Sequence, residues 1–111
     1  KEVFERAYKA VNGGMTFGGA LELLKMGFKV ARKGWNGKGM FIYMQEGSSV
    51  DFYHLKPELQ EKLENSACVS GRDGLVHVCP HIDMKAADGS LVIGWLASQT
   101  DMLAEDWCIV E

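Results

Sequence analysis

At 111 residues, 47% of them hydrophobic and 24% charged, the chain has the length of one domain and the composition of a folded globular protein. A formal net charge of −3 argues against a duplex-DNA binder driven by bulk electrostatics, and no apolar run is long enough to cross a bilayer. Cys68, Cys79 and Cys108 are odd in number and lack framework spacing, which predicts a reducing, cytoplasmic setting rather than a disulfide scaffold.

In chain order, Val3, Phe4, Ala7, Tyr8 and Val11 recur at helical spacing opposite Glu2, Glu5, Arg6 and Lys9. This predicts an amphipathic helix over residues 1–12, ended by Gly13-Gly14 and carrying no signal-peptide pattern. Met15 opens a second unit and is itself a candidate initiator, so residues 1–14 read as an extension to one domain over 15–111. Thr16 is a good N-cap for a helix through Met26, with Phe17, Leu21 and Leu24 as its apolar stripe and Gly27 as its left-handed terminator. Residues 28–33 alternate as a strand, Gly34 to Gly39 reverse the chain, and Met40 to Met44 return as a second strand.

Residues 46–74 are the least regular stretch. Within it Pro57, with Glu58 and Glu61, starts a helix to about Glu64 that is expected to turn Leu55, Leu59 and Leu63 to the core. Leu75 to Cys79 and Ile82 to Lys85 read as strand, and Asp88-Gly89 as a tight hairpin into Leu91-Val92-Ile93. Ser98 with Asp101 three residues on forms a capping box for a single helical turn, and Trp107 to Val110 closes the chain as a strand. The fold class is therefore α+β: an antiparallel sheet with a short helix packed on it, a small helical insertion and an extra N-terminal helix.

Two stretches carry the chemistry: Arg32-Lys33-Gly34-Trp35-Asn36-Gly37-Lys38-Gly39-Met40, and Trp95 through Trp107. Each sets an indole beside closely spaced hydrogen-bonding groups, which suits a stacked base with its ribose and phosphate held alongside. Glycines in the first stretch let ligand atoms approach backbone N–H groups, yet no phosphate-loop or dinucleotide pattern is present, and a plain hairpin turn competes with this reading. Lys25, Lys29, Arg32, Lys33 and Lys38 form a local basic run, either a solvated strand edge or a site for a small phosphorylated ligand. A tryptophan in a turn, such as Trp35, is expected to be exposed unless it packs across an interface or on a ligand. In the second stretch, capping explains Ser98 and Asp101 but not Gln99 and Thr100 between them. Trp95 is the better ligand candidate and Trp107 the better core residue.

His77, Cys79 and His81 alternate like a zinc triad, but Pro80 interrupts the strand and no fourth ligand has persuasive spacing, so no metal is expected. No cofactor is implied. No nucleophile or histidine lies near Asp101, Glu105 and Asp106, and no Ser-His-Asp or Cys-His order stands out, so the chain reads as a binder rather than an enzyme.

Met15-Thr16-Phe17-Gly18 with Ala20-Leu21, the stretch Val30 to Met40, and Trp95 through Trp107 together resemble the Thoeris anti-defence protein two family, small proteins of phages and prophages. The resemblance spans Met15 to Val110 and is poor over residues 46–80, while the helix at 1–12 is extra and Gly94 leaves the register before Trp95 open. It implies a sponge that binds glycocyclic ADP-ribose without cleaving it, so that the Thoeris effector of the infected bacterial cell is never activated. It also implies a homotetramer with ligand sites at subunit interfaces, and in some members a separate site for cyclic oligonucleotides.

The expected ligand-binding set is Arg32, Lys33, Trp35, Asn36, Gly37, Met40, Trp95, Ala97, Ser98, Gln99, Thr100, Asp101 and Asp106. Trp35 and Trp95 would stack on or flank the nucleoside, and Arg32, Lys33 and Lys38 would neutralise phosphate. Asn36, Ser98, Gln99, Thr100 and Asp101 would hydrogen-bond ribose and base edges. Arg72, His77 and His81 form a candidate second site with phosphate-binding chemistry. Small signalling nucleotides are thus the expected partners, with neither polymeric nucleic acid nor membrane. An enzyme hydrolysing the same signal and a protein-interaction module using exposed tryptophans are the competing readings.

Overall fold

A computed structural model describes residues 2–64 and 74–111, with side chains from residue 7 onward. Among the described residues, twelve elements follow in chain order. They are α1 (Glu2–Asn12), α2 (Phe17–Lys25), β1 (Lys29–Arg32), β2 (Phe41–Gln45), β3 (Ser48–Asp51), a 3-10 turn (Phe52–His54), α3 (Pro57–Leu63), β4 (Leu75–Val78), β5 (His81–Lys85), β6 (Leu91–Val92), α4 (Gln99–Leu103) and β7 (Trp107–Val110). The architecture is α+β, as the sequence predicts. Two compact units divide the chain: residues 1–45 with 82–111, and residues 46–81.

The larger unit is built on a five-stranded sheet in the order β6-β5-β2-β1-β7. β1 pairs antiparallel with both β2 and β7, and β5 pairs antiparallel with β6. α2 forms where it was expected. The Thr16 hydroxyl accepts the Gly19 N–H at 3.1 Å, closing its first turn, and Gly27 at φ +97° ends it. Its Ala20 and Leu24 bury fully against Val30 and Ile42 of the sheet, Met84 of β5 and Trp107 of β7. These residues make one continuous core because they project from one helix face and one sheet face.

Met15 ties the helical layer to the edge strand through a reciprocal backbone pair with Trp107, at 3.0 and 3.1 Å. α1 packs beside β7, and Ala10 joins the core. Between α1 and α2 lies an apolar cleft of about 420 Å³ bordered by Ala7, Val11, Leu23, Met26, Phe28 and Ile109. None of its lining residues belongs to the two glycine- and tryptophan-rich stretches after Val30.

The smaller unit differs from expectation in two respects. Residues 48–51, which lack strand formers apart from Val50, pair as β3 with β4 in the register Ser48↔Val78 to Asp51↔Leu75. Cross-strand pairing supplies the order that local propensity does not. α3 starts at Pro57 as predicted, but it buries none of its residues, and Leu59 is 42% exposed. Leu55, Leu59 and Leu63 are thus not core residues: Val76 is the only buried hydrophobic side chain among the described residues of this unit, too little apolar surface to cover a helix face.

Candidate functional site

The two stretches singled out in the sequence meet at two carboxylates, Asp101 and Asp106. Arg32 closes β1, and the turn that follows carries Trp35. Asp101 sits in α4, at the third helical position after the Ser98 cap. Arg32 Nη1 donates to Asp101 Oδ1 at 2.9 Å, and Trp35 Nε1 donates to the same oxygen at 3.0 Å. The other oxygen, Oδ2, accepts the Ser98 N–H at 3.2 Å, while Ser98 Oγ accepts the Asp101 N–H at 3.0 Å. The capping box read from Ser98 and Asp101 is therefore complete, and its acid also clamps the first motif.

Asp106 makes the second bridge. Its Oδ1 accepts Arg32 Nε at 2.8 Å, and its Oδ2 accepts the Gly34 N–H at 2.7 Å. A Cβ on Gly34 would lie 2.7 Å from that oxygen, so a larger residue would push the Asp106 carboxylate out of this bond. Lys33 N–H donates to the Asp106 carbonyl at 3.1 Å, extending the β1–β7 ladder by one bond.

Beneath this cluster lies an aromatic nest. Trp107 is fully buried, and its Nε1 donates to the Asp101 carbonyl at 3.0 Å. Trp35 and Trp95 stand edge-on to it, with ring centroids at 5.3 and 6.3 Å, and are 6.2 Å from each other. The expectation that Trp35 needs an interface or a ligand to cover it is corrected here: it is half-buried by packing on the chain's own core. The competing reading of Gly34 to Gly39 as a hairpin turn has support too, since the segment joins antiparallel β1 and β2.

Electrostatics follow from these bonds. Hydrogen bonds that Arg32 donates to Asp106 and Asp101 raise its pKa above the ordinary value. Burial works to raise the Asp101 pKa, but bonds from Trp35, Arg32 and Ser98 outweigh it and hold the group below the usual carboxylate range. Asp106 is lowered chiefly by Arg32, against a smaller opposing effect of burial. One guanidinium between two carboxylates leaves the cluster with a net charge of −1 (+1 − 2), so Arg32 is neutralised within the protein.

Both acids have folded-state pKa values depressed below the unfolded ones. Their stabilisation is present above the unfolded values of about 4 and is lost as pH falls through the lower folded values. Tryptophan fluorescence is therefore expected to stay constant from neutral pH down to about 4 and to change below it. A transition centred above pH 5 would contradict the assignment.

The rest of the expected set is distributed around this frame. Lys33, Asn36, Lys38, Ser98, Gln99 and Thr100 are exposed, while Gly37, Met40, Trp95 and Ala97 are half-buried. The Asn36, Gln99 and Thr100 side chains have no hydrogen-bond partner among the described residues, in contrast to Asp101 and Asp106. Gly37 packs against Met40 and Ala87, with no room for a Cβ. Leu96, which sequence reading passed over, is 89% exposed beside Trp95, and Leu91 and Ile93 are also exposed. Asp83 was passed over too; the only sequence signal for it is an acid set between the apolar strand residues Ile82 and Met84.

Of the candidate second site, the structure describes His77 and His81. Arg72 and Cys68 lie outside the described residues. The His77 Nδ1 lies 2.7 Å from Ser49 Oγ across the β3–β4 ladder, and His81 Nδ1 donates to the Cys79 carbonyl at 2.8 Å. Among the described residues no group of three or more His, Cys, Asp or Glu side chains is placed to hold a metal ion, and no helix is long and apolar enough to cross a membrane.

The comparisons with known proteins bear on this frame. A family model described as the Thoeris anti-defense 2-like domain matches residues 15–110, so α1 precedes the matched region. A protein of Bacillus phage SP01 named "Thoeris anti-defense 2" is 37% identical over 99 residues, which covers 86% of this chain and 94% of that protein.

Proposed function

The chain belongs to the Thoeris anti-defense 2-like family, and from that premise we propose that it inhibits Thoeris defence by sequestering a signalling nucleotide, glycocyclic ADP-ribose, without cleaving it. One observation carries the reading: Asp101 joins the Arg32–Met40 and Trp95–Trp107 stretches, so two indoles and the unpartnered side chains of Asn36, Gln99 and Thr100 belong to one rigid frame. A preformed frame lowers the ordering cost of binding, which a sponge needs in order to outcompete a receptor.

The roles are distributed by what each group has left to give. Trp35 and Trp95 flank the nucleoside with whatever face the Trp107 nest leaves uncovered. Asn36, Ser98, Gln99 and Thr100 meet ribose and base edges. Lys33 and Lys38 supply the positive charge for phosphate, since Arg32 is neutralised by Asp101 and Asp106. Those two acids, with Gly37, Met40 and Ala97, shape the site from below. Their depressed pKa values make Asp101 and Asp106 weak bases and poor proton donors near neutral pH, which favours retention of the ligand over hydrolysis.

The working form is a homotetramer in the cytoplasm of the infected bacterial cell, with ligand sites at subunit interfaces. The exposed Leu91, Ile93 and Leu96, next to Trp95, favour burial against another subunit. A second site for a cyclic oligonucleotide is proposed at Arg72, His77 and His81, independent of the first. Calorimetric titration of each ligand in the presence of the other distinguishes two sites from one, because any coupling is reciprocal.

The principal test is release. Complex prepared at micromolar concentration should scatter light as a tetramer and, after heat denaturation, return unmodified glycocyclic ADP-ribose that still activates a Thoeris effector. Progressive disappearance of the nucleotide at catalytic protein concentration would establish an enzyme. Absence of bound nucleotide from a correctly folded sample would leave an interaction module.

A further inference from the structure

Among the described residues, the polar side chain most completely removed from solvent lies outside both motifs. Asp83, in β5 between Ile82 and Met84, is 0% exposed. Its Oδ1 accepts the Gly94 N–H at 2.8 Å, and its Oδ2 accepts from the Gln45 side-chain amide of β2. The adjacent Ile82 carbonyl accepts the Trp95 N–H at 2.7 Å. Two successive amides are thus caught by two successive residues of one strand.

The location of this joint gives it consequence. β6 pairs with β5 only through Leu91 and Val92, and these two residues and Ile93 are all exposed. Gly94 then takes φ +80°, a left-handed conformation that turns the chain toward Trp95 and the Ser98 cap. Apart from the Leu91–Val92 pairing and the Ala86 N–H bond to the Ser90 carbonyl, the Asp83 and Ile82 bonds are what fix this segment before Trp95 reaches the aromatic nest. A buried carboxyl group is expensive unless its hydrogen bonds are used, and one of these bonds goes to the residue immediately before the indole.

We propose that Asp83 is a positioning residue for the nucleotide site: by holding the Gly94 amide it sets where Trp95 stands relative to Trp35 and α4. This rests on the sequestration reading above, with Trp95 as a ligand-facing group. Asp83 itself touches no ligand.

The test uses the full chain with Asp83→Ala, Asp83→Asn and Gly94→Ala, read by calorimetry with glycocyclic ADP-ribose and by amide hydrogen exchange resolved by residue. Asp83→Ala is expected to speed exchange at Gly94 and Trp95 selectively and to weaken binding by about tenfold. Asp83→Asn keeps an acceptor oxygen and should recover most of that affinity, a rescue that general loss of stability would not produce. Gly94→Ala strains the same joint from the loop side, with no atom within 4 Å of the added carbon to clash, and should weaken binding even if Asp83→Ala does not fold. Selective loosening at Gly94 and Trp95 with unchanged affinity overturns the inference, as does uniform loosening of the whole sheet. If the unaltered chain does not bind the nucleotide, the sequestration reading fails instead, and the exchange measurement still decides whether Asp83 holds the joint.

Discussion

Asp101→Ala is expected to destabilise the chain by about 3–5 kcal/mol, because it breaks a mostly buried ion pair. The Arg32 and Asp101 side chains are only 14% and 12% exposed. Arg32 keeps Asp106, which places the ion-pair loss near the lower end of that range. Two further losses come from the same carboxylate, overlap with the first rather than adding in full, and leave the total within that range. The helix cap contributes about 1 kcal/mol, and the Trp35 indole N–H is left without its acceptor at about 1–3 kcal/mol. Asp101→Asn keeps an oxygen for Trp35 and should cost roughly half as much. Urea titration measures both: the midpoint should fall at unchanged slope, since the same surface is exposed on unfolding. A loss below about 1 kcal/mol for the alanine variant would mean that the two motifs are held together by something other than this carboxylate. Nucleotide binding should weaken as well, although Asp101 has little left to offer a ligand.

Trp107→Ala should be comparably severe, at about 3–5 kcal/mol, the range for truncating a large buried aromatic. Trp107 is fully buried, touches Phe17 of α2 at a centroid distance of 5.5 Å, and supports both Trp35 and Trp95. Its removal takes away the floor on which the other two indoles rest. Near-ultraviolet circular dichroism should therefore lose more than one tryptophan's contribution. Trp107→Phe keeps most of the volume but forfeits the bond to the Asp101 carbonyl, and a milder loss is expected. If alanine removes only the signal of Trp107, the three indoles are not coupled and the nest is not a unit. Together the two variants make a point about the site: the largest effects fall on residues beneath it.

Belonging to the Thoeris anti-defense 2-like family directs these measurements to the two motifs, while the matched region starts only at Met15. α1 nevertheless buries Ala10 in the common core, so the segment before the match is part of this chain's own packing. The local signals needed little context. Thr16 caps α2, Gly27 ends it, Ser98 and Asp101 close their box, and the Asp88-Gly89 turn leads into β6. Each depends on bonds or backbone angles within a few residues, which sequence spacing encodes directly. Trp107 was legible as core for a similar reason, since an aromatic in an apolar terminal strand has one buried face to fill.

Other features were decided only when distant segments met. β3 exists because β4 pairs with it, and Ser48-Ser49 carries no strand preference of its own. Leu59 is exposed because the described residues of its unit offer too little apolar surface to cover α3, a quantity that belongs to the assembled unit rather than to the helix. Sequence spacing marked Arg32, Trp35 and Asp101 as ligand-binding candidates of two separate motifs. It could not show that they would satisfy one another, since Arg32 and Asp101 are 69 residues apart. Whether a charged or aromatic group is available to a ligand depends on which partners the fold brings within about 3 Å, and that is a property of tertiary structure alone.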